Sequence, residues 1–168
     1  MDVIVVRHGI AMDRDEAADS AIPDEERPLT AKGRRRMKEA ARGVARLARG
    51  AELVLSSSLL RARQTAKLVR RAFDDDIGYR ETATLEPGAE PLELARELTS
   101  VPLLPSVLIV GHEPHLGRFV DWSLAGQSKE LVELDKGGAC LIRFSEGPTA
   151  GEGQLIWLLS QKLLRRVG

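Results

Sequence analysis

The stretch that most constrains this chain is Val3-Ile4-Val5-Val6-Arg7-His8-Gly9. Four β-branched residues in an unbroken apolar run predict a fully buried strand. The run ends abruptly on two side chains that can carry charge, followed by a Gly that lets the backbone turn tightly. In an open α/β sheet, ligands bind beyond the carboxyl ends of the strands. A cation and an imidazole at such an end predict the floor of an anion site. A second continuous apolar run, Val107-Leu108-Ile109-Val110, also ends on a histidine, in Gly111-His112-Glu113-Pro114.

The remaining segments fit around these two strands. Ile10 to Arg27 is acidic and poor in apolar residues, and reads as a surface loop with a short helical turn at Glu16 to Asp19. Thr30 is a good N-cap for a helix from Ala31, along which Met37, Ala40, Ala41 and Val44 recur at helical spacing. Gly33, in its first turn, has no propensity reason to be there and points to close packing near the site. Leu53 to Ser56 predicts a strand. A helix follows from about Leu59 to Phe73, closed by Asp74-Asp75-Asp76, and then a short strand at Ile77 to Arg80. Thr84 to Pro91 reads as a loop, and helices are expected near Leu92 to Leu98 and Leu116 to Leu124. Ala139 to Phe144 and Gln154 to Leu159 resemble a hairpin joined by a Gly-rich loop. Strands alternating with helices predict an α/β layered fold, and the late hairpin makes its sheet mixed.

Length and charge narrow the possibilities. With 168 residues the chain is expected to form a single domain, 1–168, around one sizeable core. Its 25 basic and 25 acidic side chains cancel, which argues against non-specific nucleic-acid binding. Arg34-Arg35-Arg36 is the local exception, and a solvated helix face is its ordinary reading. The lone Cys140 sits in an apolar run and reads as a buried structural thiol, so neither a disulfide within the chain nor a cysteine zinc site is expected. No apolar stretch approaches the roughly 20 residues that span a bilayer. The N-terminus lacks the apolar core of a signal peptide, so a cytoplasmic location is expected, with no membrane partner.

Chemistry converges on four residues. If the two histidine-bearing strands are neighbours, His8 and His112 face one crevice. Arg7 adds a guanidinium there, and Arg61, at the start of a helix after another strand end, adds a second. Helix N-termini favour anions, and the planar fork of Arg suits two phosphate oxygens at once. The set predicts a pocket for a dianion. Neutral imidazole is a competent nucleophile, and neighbouring guanidinium groups disfavour its protonation. His8 is therefore the candidate phosphoryl acceptor, water removes the group in a second step, and His112 holds the equatorial oxygens, with protonation an option for it.

These residues carry a resemblance. Val6-Arg7-His8-Gly9 resembles the opening motif of the histidine phosphatase superfamily, the phosphoglycerate-mutase-like fold. In order there follow Arg27-Pro28-Leu29-Thr30 with Gly33, and then Ser57-Ser58-Leu59-Leu60-Arg61-Ala62-Arg63-Gln64-Thr65. The latter is similar to a Ser-Pro-x-x-Arg-Ala-x-Gln-Thr motif, with Ser58 in place of Pro. Val110-Gly111-His112-Glu113-Pro114 resembles the second-histidine motif. The short chain and the motif details most resemble the SixA-type phosphohistidine phosphatases. The resemblance implies a three-layer α/β/α sandwich with a mostly parallel, mixed sheet. It also implies Arg7, His8, Arg61 and His112 as the phosphate pocket, His8 as phosphoacceptor, and neither metal nor organic cofactor.

One departure bears on the substrate. Many superfamily members place a Glu after the third strand as general acid, and here Thr84 stands at that position, with Glu86 and Glu90 as the nearby candidates. An alkoxide leaving group needs a proton in the transition state, whereas a phosphorylated imidazole can leave with its ring already protonated. Loss of the acid favours a phosphohistidine protein as partner, a small phosphorylated molecule being the alternative; phosphate is the product in either case. A mutase would need an extra basic lid, and a non-catalytic phosphate-binding module has no need of the full Arg/His/Arg/His set. Two further features keep two readings each. His115 lies at the pocket rim or on the surface, the latter favoured. The acidic segment Asp13 to Glu26 selects substrate or is a solvated loop, again the latter favoured.

Overall fold

A computed structural model describes residues 1–48, 50–73, 77–100 and 104–168. Six strands, β1 (Asp2–Arg7), β2 (Leu53–Ser56), β3 (Gly78–Glu81), β4 (Ser106–Gly111), β5 (Ala139–Arg143) and β6 (Gln154–Leu159), form one sheet in the order β3-β2-β4-β1-β5-β6. The first four run parallel; β5 is antiparallel to β1, and β6 to β5. The expected late hairpin is thus what makes the sheet mixed.

Alternation along the central strands assigns each residue to a face. Ile4, Val6, Leu108 and Val110 pack with Met37, Ala40 and Val44 of α2 (Ala31–Leu47), Ala62, Ala66 and Val69 of α3 (Leu60–Phe73), and Leu164 near the chain end. Val3, Val5, Val107 and Ile109 face the other way, onto Leu94 and Leu98 of α4 (Pro91–Ser100) and Leu116 and Phe119 of α5 (His115–Ala125). Each of these side chains is fully buried, and burial of one contributes about 1.5–3 kcal/mol for the larger aliphatics. The result is the expected three-layer α/β/α sandwich. The predicted turn in the acidic segment is the helix α1 (Arg14–Asp19), capped by Asp13, whose side chain accepts from the Asp15 N–H. The expected close at residues 74–76 lies outside the described residues. Among those described, no helix is long and apolar enough to cross a membrane.

One helix was not foreseen. α6 (Gln161–Val167) starts at the N-cap Ser160 and lies along α2. A Cβ on Gly43 would stand 2.1 Å from the Leu164 carbonyl oxygen, so the two backbones meet where only glycine fits. The sequence signal was the Ser cap ahead of Leu163-Leu164, too short a pattern to stand alone.

Gly33 has the close approach its placement suggested. A Cβ there would lie 2.0 Å from the Ile10 carbonyl oxygen and 3.1 Å from Thr30 Oγ1, while the Gly33 N–H donates to Thr30 Oγ1. Gly33→Ala gains roughly 1 kcal/mol of helix propensity but must push the backbone that follows His8-Gly9. We expect a net destabilisation of about 1–3 kcal/mol, read as a fall in Tm of several degrees. A raised Tm would show that this approach yields at no cost.

Candidate active site

β1 and β4 pair directly, with Arg7 opposite Gly111, so the residues that follow them emerge side by side. The His8 N–H donates to the Gly111 carbonyl at 3.1 Å. The two imidazoles sit with ring centroids 5.0 Å apart, tilted by 55°. Arg61 arrives from the first turn of α3, and its side chain is 3 % exposed. Arg7, His8, Arg61 and His112 thereby line one cavity of ≈ 490 Å³. The structure brings together all four residues that the sequence singled out.

Small motif residues hold this arrangement. The Gly9 N–H donates to Thr65 Oγ1 at 3.1 Å, and the Leu29 N–H donates to Gln64 Oε1 at 2.8 Å. Thr65 and Gln64 therefore tie the end of β1 and the Arg27-to-Thr30 segment to α3. Gly9 does not adopt the left-handed conformation; its role is that of a backbone anchor against Leu29 and Met37.

His8 Nδ1 lies 2.7 Å from the Gly9 carbonyl oxygen. A carbonyl only accepts, so Nδ1 carries the proton and Nε2 carries the lone pair. Burial, ahead of the nearby charges of Arg61, Arg7 and Lys136, pushes the His8 pKa down to about 4. The guanidinium groups act in the direction expected from the sequence, but burial dominates. His112 is held at Nε2 by Ser57 Oγ, 2.9 Å away. Burial, then the neighbouring His8 and Arg61, lowers its pKa to about 2, so the free site holds it neutral. An anion placed beside it would favour its protonated form. Arg7 Nε, Arg61 Nε and His112 Nδ1 are buried and have no hydrogen-bond partner among the described residues. Buried polar atoms are normally paired, which makes these three candidates to meet a bound anion.

Several participants were not singled out. Lys136, in the turn before β5, lines the cavity, as does Arg27. Asp24 links the cations: its carbonyl and Oδ2 accept from Arg61 at 2.6 and 2.9 Å, and its Oδ1 accepts from Arg27 Nε at 2.9 Å. The acidic segment is therefore not merely a solvated loop, because Asp13 and Asp15 also line the cavity. Arg27 had a signal in the Arg-Pro-Leu-Thr stretch; Asp24 and Lys136 had none beyond their charge. His115 is only 2 % exposed rather than on the surface, and burial lowers its pKa to about 4. Of the candidate acids, Glu86 accepts a hydrogen bond from Ser58 Oγ, and Glu90 lies by a separate depression with Arg118. Neither lines the cavity, although Pro87 does. Thr84 donates to Glu97. No group of three or more His, Cys, Asp or Glu among the described residues is arranged to hold a metal ion.

Comparison with known proteins decides the family. The sequence profile of the histidine phosphatase superfamily (branch 1) matches residues 3–86. The chain belongs to the histidine phosphatase superfamily. Its reaction class is accordingly that of a phosphatase- or mutase-type enzyme. An uncharacterised protein of Picosynechococcus sp. (strain PCC 7002) is 33% identical over 147 residues, 85% of each chain. Among solved structures, the protein histidine phosphatase SixA complexed with tungstate has a TM-score of 0.80 at 24% identity, covering 98% of this chain and 99% of that one. A provisionally assigned phosphohistidine phosphatase SixA from Agrobacterium tumefaciens gives 0.77 at 22% identity, covering 95% and 97%. The alpha-ribazole phosphatase from Shigella flexneri gives 0.65 at 17%, covering 96% and 97%. At these identities the structural likenesses establish the shared fold.

Proposed function

We propose that this superfamily member is a phosphatase that works through phospho-His8 and removes phosphoryl groups from phosphohistidine in a protein. The carrying observation is the Nδ1–H of His8 tied to the Gly9 carbonyl, which presents the Nε2 lone pair beside Arg7, Arg61 and His112. In the first step Nε2 forms a bond to phosphorus while the substrate's P–N bond breaks, its electron pair returning to the departing imidazole. The guanidinium groups and His112 neutralise the equatorial oxygens where charge builds. In the second step water attacks phospho-His8, releasing inorganic phosphate and restoring the free imidazole.

The carboxylates support this substrate class. Asp13 accepts from the Asp15 N–H, and Glu86 accepts from Ser58. Burial raises the pKa of Glu113 despite the hydrogen bonds from the Leu134 and Gly117 N–H groups, at 2.9 and 3.1 Å, which occupy its two carboxylate oxygens. Carboxylates used as acceptors are poor proton donors to an alkoxide, whereas an imidazole that is already protonated needs no donor. The similarity in fold to SixA supports the same reading. The test is a comparison of a phosphohistidine peptide with phosphoserine at neutral pH. The peptide is expected to be favoured in kcat/KM by about 10²-fold or more, the usual worth of a general acid. Equal rates on the two would overturn the substrate class.

A further inference from the structure

The neutral chain hides a strong separation of charge. α2 carries seven Lys or Arg against a single carboxylate, Glu39, and α3 carries five and no carboxylate. The two helices lie in one layer of the sandwich with α6 beside α2, so the helices of this face are strongly positive although the whole chain sums to zero. On α3 the stripe Arg63, Lys67, Arg70 and Arg71 follows i, i+4, i+7 and i+8, the spacing of one helix face, and spans about 12 Å. It lines a groove of ≈ 560 Å³ with Leu60 and Tyr79. That groove starts at the turn that sends Arg61 into the phosphate cavity, and Arg71 continues it into a second basic groove with Arg35, Lys38 and Arg42.

The members of the stripe differ in what they can offer. Arg70 donates to the Ile77 carbonyl at 2.8 Å and lies 5.5 Å over the Tyr79 ring, so it shapes the groove wall. Arg63 sits 4.0 Å from Glu26. Lys67 and Arg71 are exposed and have no ion-pair partner among the described residues. We propose that this groove docks an acidic segment of the phosphohistidine-bearing protein, with Lys67 and Arg71 as its principal charge contacts. The proposal rests on the phosphohistidine reading above. A protein is favoured over a nucleic acid because the cavity lined by Arg61, the residue after the groove's Leu60, is also lined by Asp13 and Asp15, which would repel a continuous phosphate backbone. Along α3 a carboxylate-bearing segment meets Arg63, Lys67 and Arg71, of which Arg63 alone faces a carboxylate, Glu26, among the described residues.

Two synthetic phosphohistidine peptides test this, one with Glu at alternate flanking positions and its twin with Gln there. The wild-type enzyme is expected to favour the Glu peptide by about tenfold in kcat/KM, through KM, with the preference lost at high salt. Lys67→Glu/Arg71→Glu is expected to remove or reverse that preference while leaving hydrolysis of p-nitrophenyl phosphate unchanged. Equal rates on both peptides, or a preference that survives in the double variant, would overturn the docking site and leave the phosphohistidine reading intact. Failure to hydrolyse either peptide, with p-nitrophenyl phosphate still turned over, would sink that reading and the docking site with it. Inhibition of Glu-peptide hydrolysis by a 12-nucleotide single strand, relieved in the double variant, would reassign the stripe to nucleic acid.

Discussion

His8→Ala is expected to lower turnover by about 10⁴-fold or more, because no second group can accept the phosphoryl from the same position. His112 is next to it, but its Nε2 is engaged by Ser57 Oγ. Wild-type enzyme quenched during turnover should carry phosphate on His8, labile to acid and stable to base; the variant should carry none. A variant that still hydrolysed substrate at a tenth of the wild-type rate would remove the covalent step. The same residue makes a pH prediction. With its pKa down at about 4, His8 is neutral and nucleophilic throughout the range above pH 5. Formation of phosphoenzyme from an aryl phosphate should therefore lack a limb near the ordinary histidine value of about 6.5. Stability runs the other way. His8 and His115 fall to about 4 on burial and His112 to about 2, so between about 6.5 and 4 the unfolded chain binds more protons than the folded one. The stability these three histidines contribute is full above pH 6.5 and is lost as pH falls through that window, the His112 share continuing to be lost down to about pH 2. His8→Ala removes one of the three contributions, and its denaturant midpoint should fall less between pH 7 and pH 5 than that of the wild type.

What was legible in the sequence is what the backbone itself fixes. A four-residue apolar strand directs its next side chains to one place, so Arg7-His8 and His112 could be read from position alone. Arg61 could be read as well, because it opens a helix directly after a strand end. Contacts made by loops that fold back were not legible. Asp24 reaches Arg61 across 37 positions, and Ser57 reaches His112 across 55. Neither residue type distinguishes such a contact from a solvated acid or a polar turn. His115 was misplaced for a related reason. One imidazole near a helix start carries no periodic signal, and its burial comes from α4 and α5 packing on each other rather than from its neighbours in the chain. The stripe on α3 was obscured by the whole-chain sum, since a net charge of zero says nothing about how charge is divided between layers.

Arg61→Ala should cost about 10²–10⁴-fold in kcat/KM, the range expected when one guanidinium clamp on a transferring phosphoryl group is removed. Arg61 has a second duty that must be separated from this one. Its two terminal nitrogens hold Asp24, so its loss also loosens the acidic segment over the cavity. Arg27 still grips Asp24 through Nε at 2.9 Å, with a further bond to the Met12 carbonyl, and Arg14 lies 3.6 Å from the same carboxylate, so the segment stays held in part. Asp24→Asn distinguishes the duties. It weakens the tether but leaves the guanidinium in the cavity and free of a competing carboxylate. If Arg61 acts on the phosphoryl group, Asp24→Asn retains most of kcat while Arg61→Ala does not. Arg61→Lys restores the charge without the planar fork and should recover about a tenth of the activity or less. The buried Nε of Arg61, which has no partner among the described residues, is the donor a lysine cannot reproduce. Equal losses in Asp24→Asn and Arg61→Ala would instead mean that Arg61 serves the loop, and that Arg7 and His112 carry the phosphoryl oxygens alone.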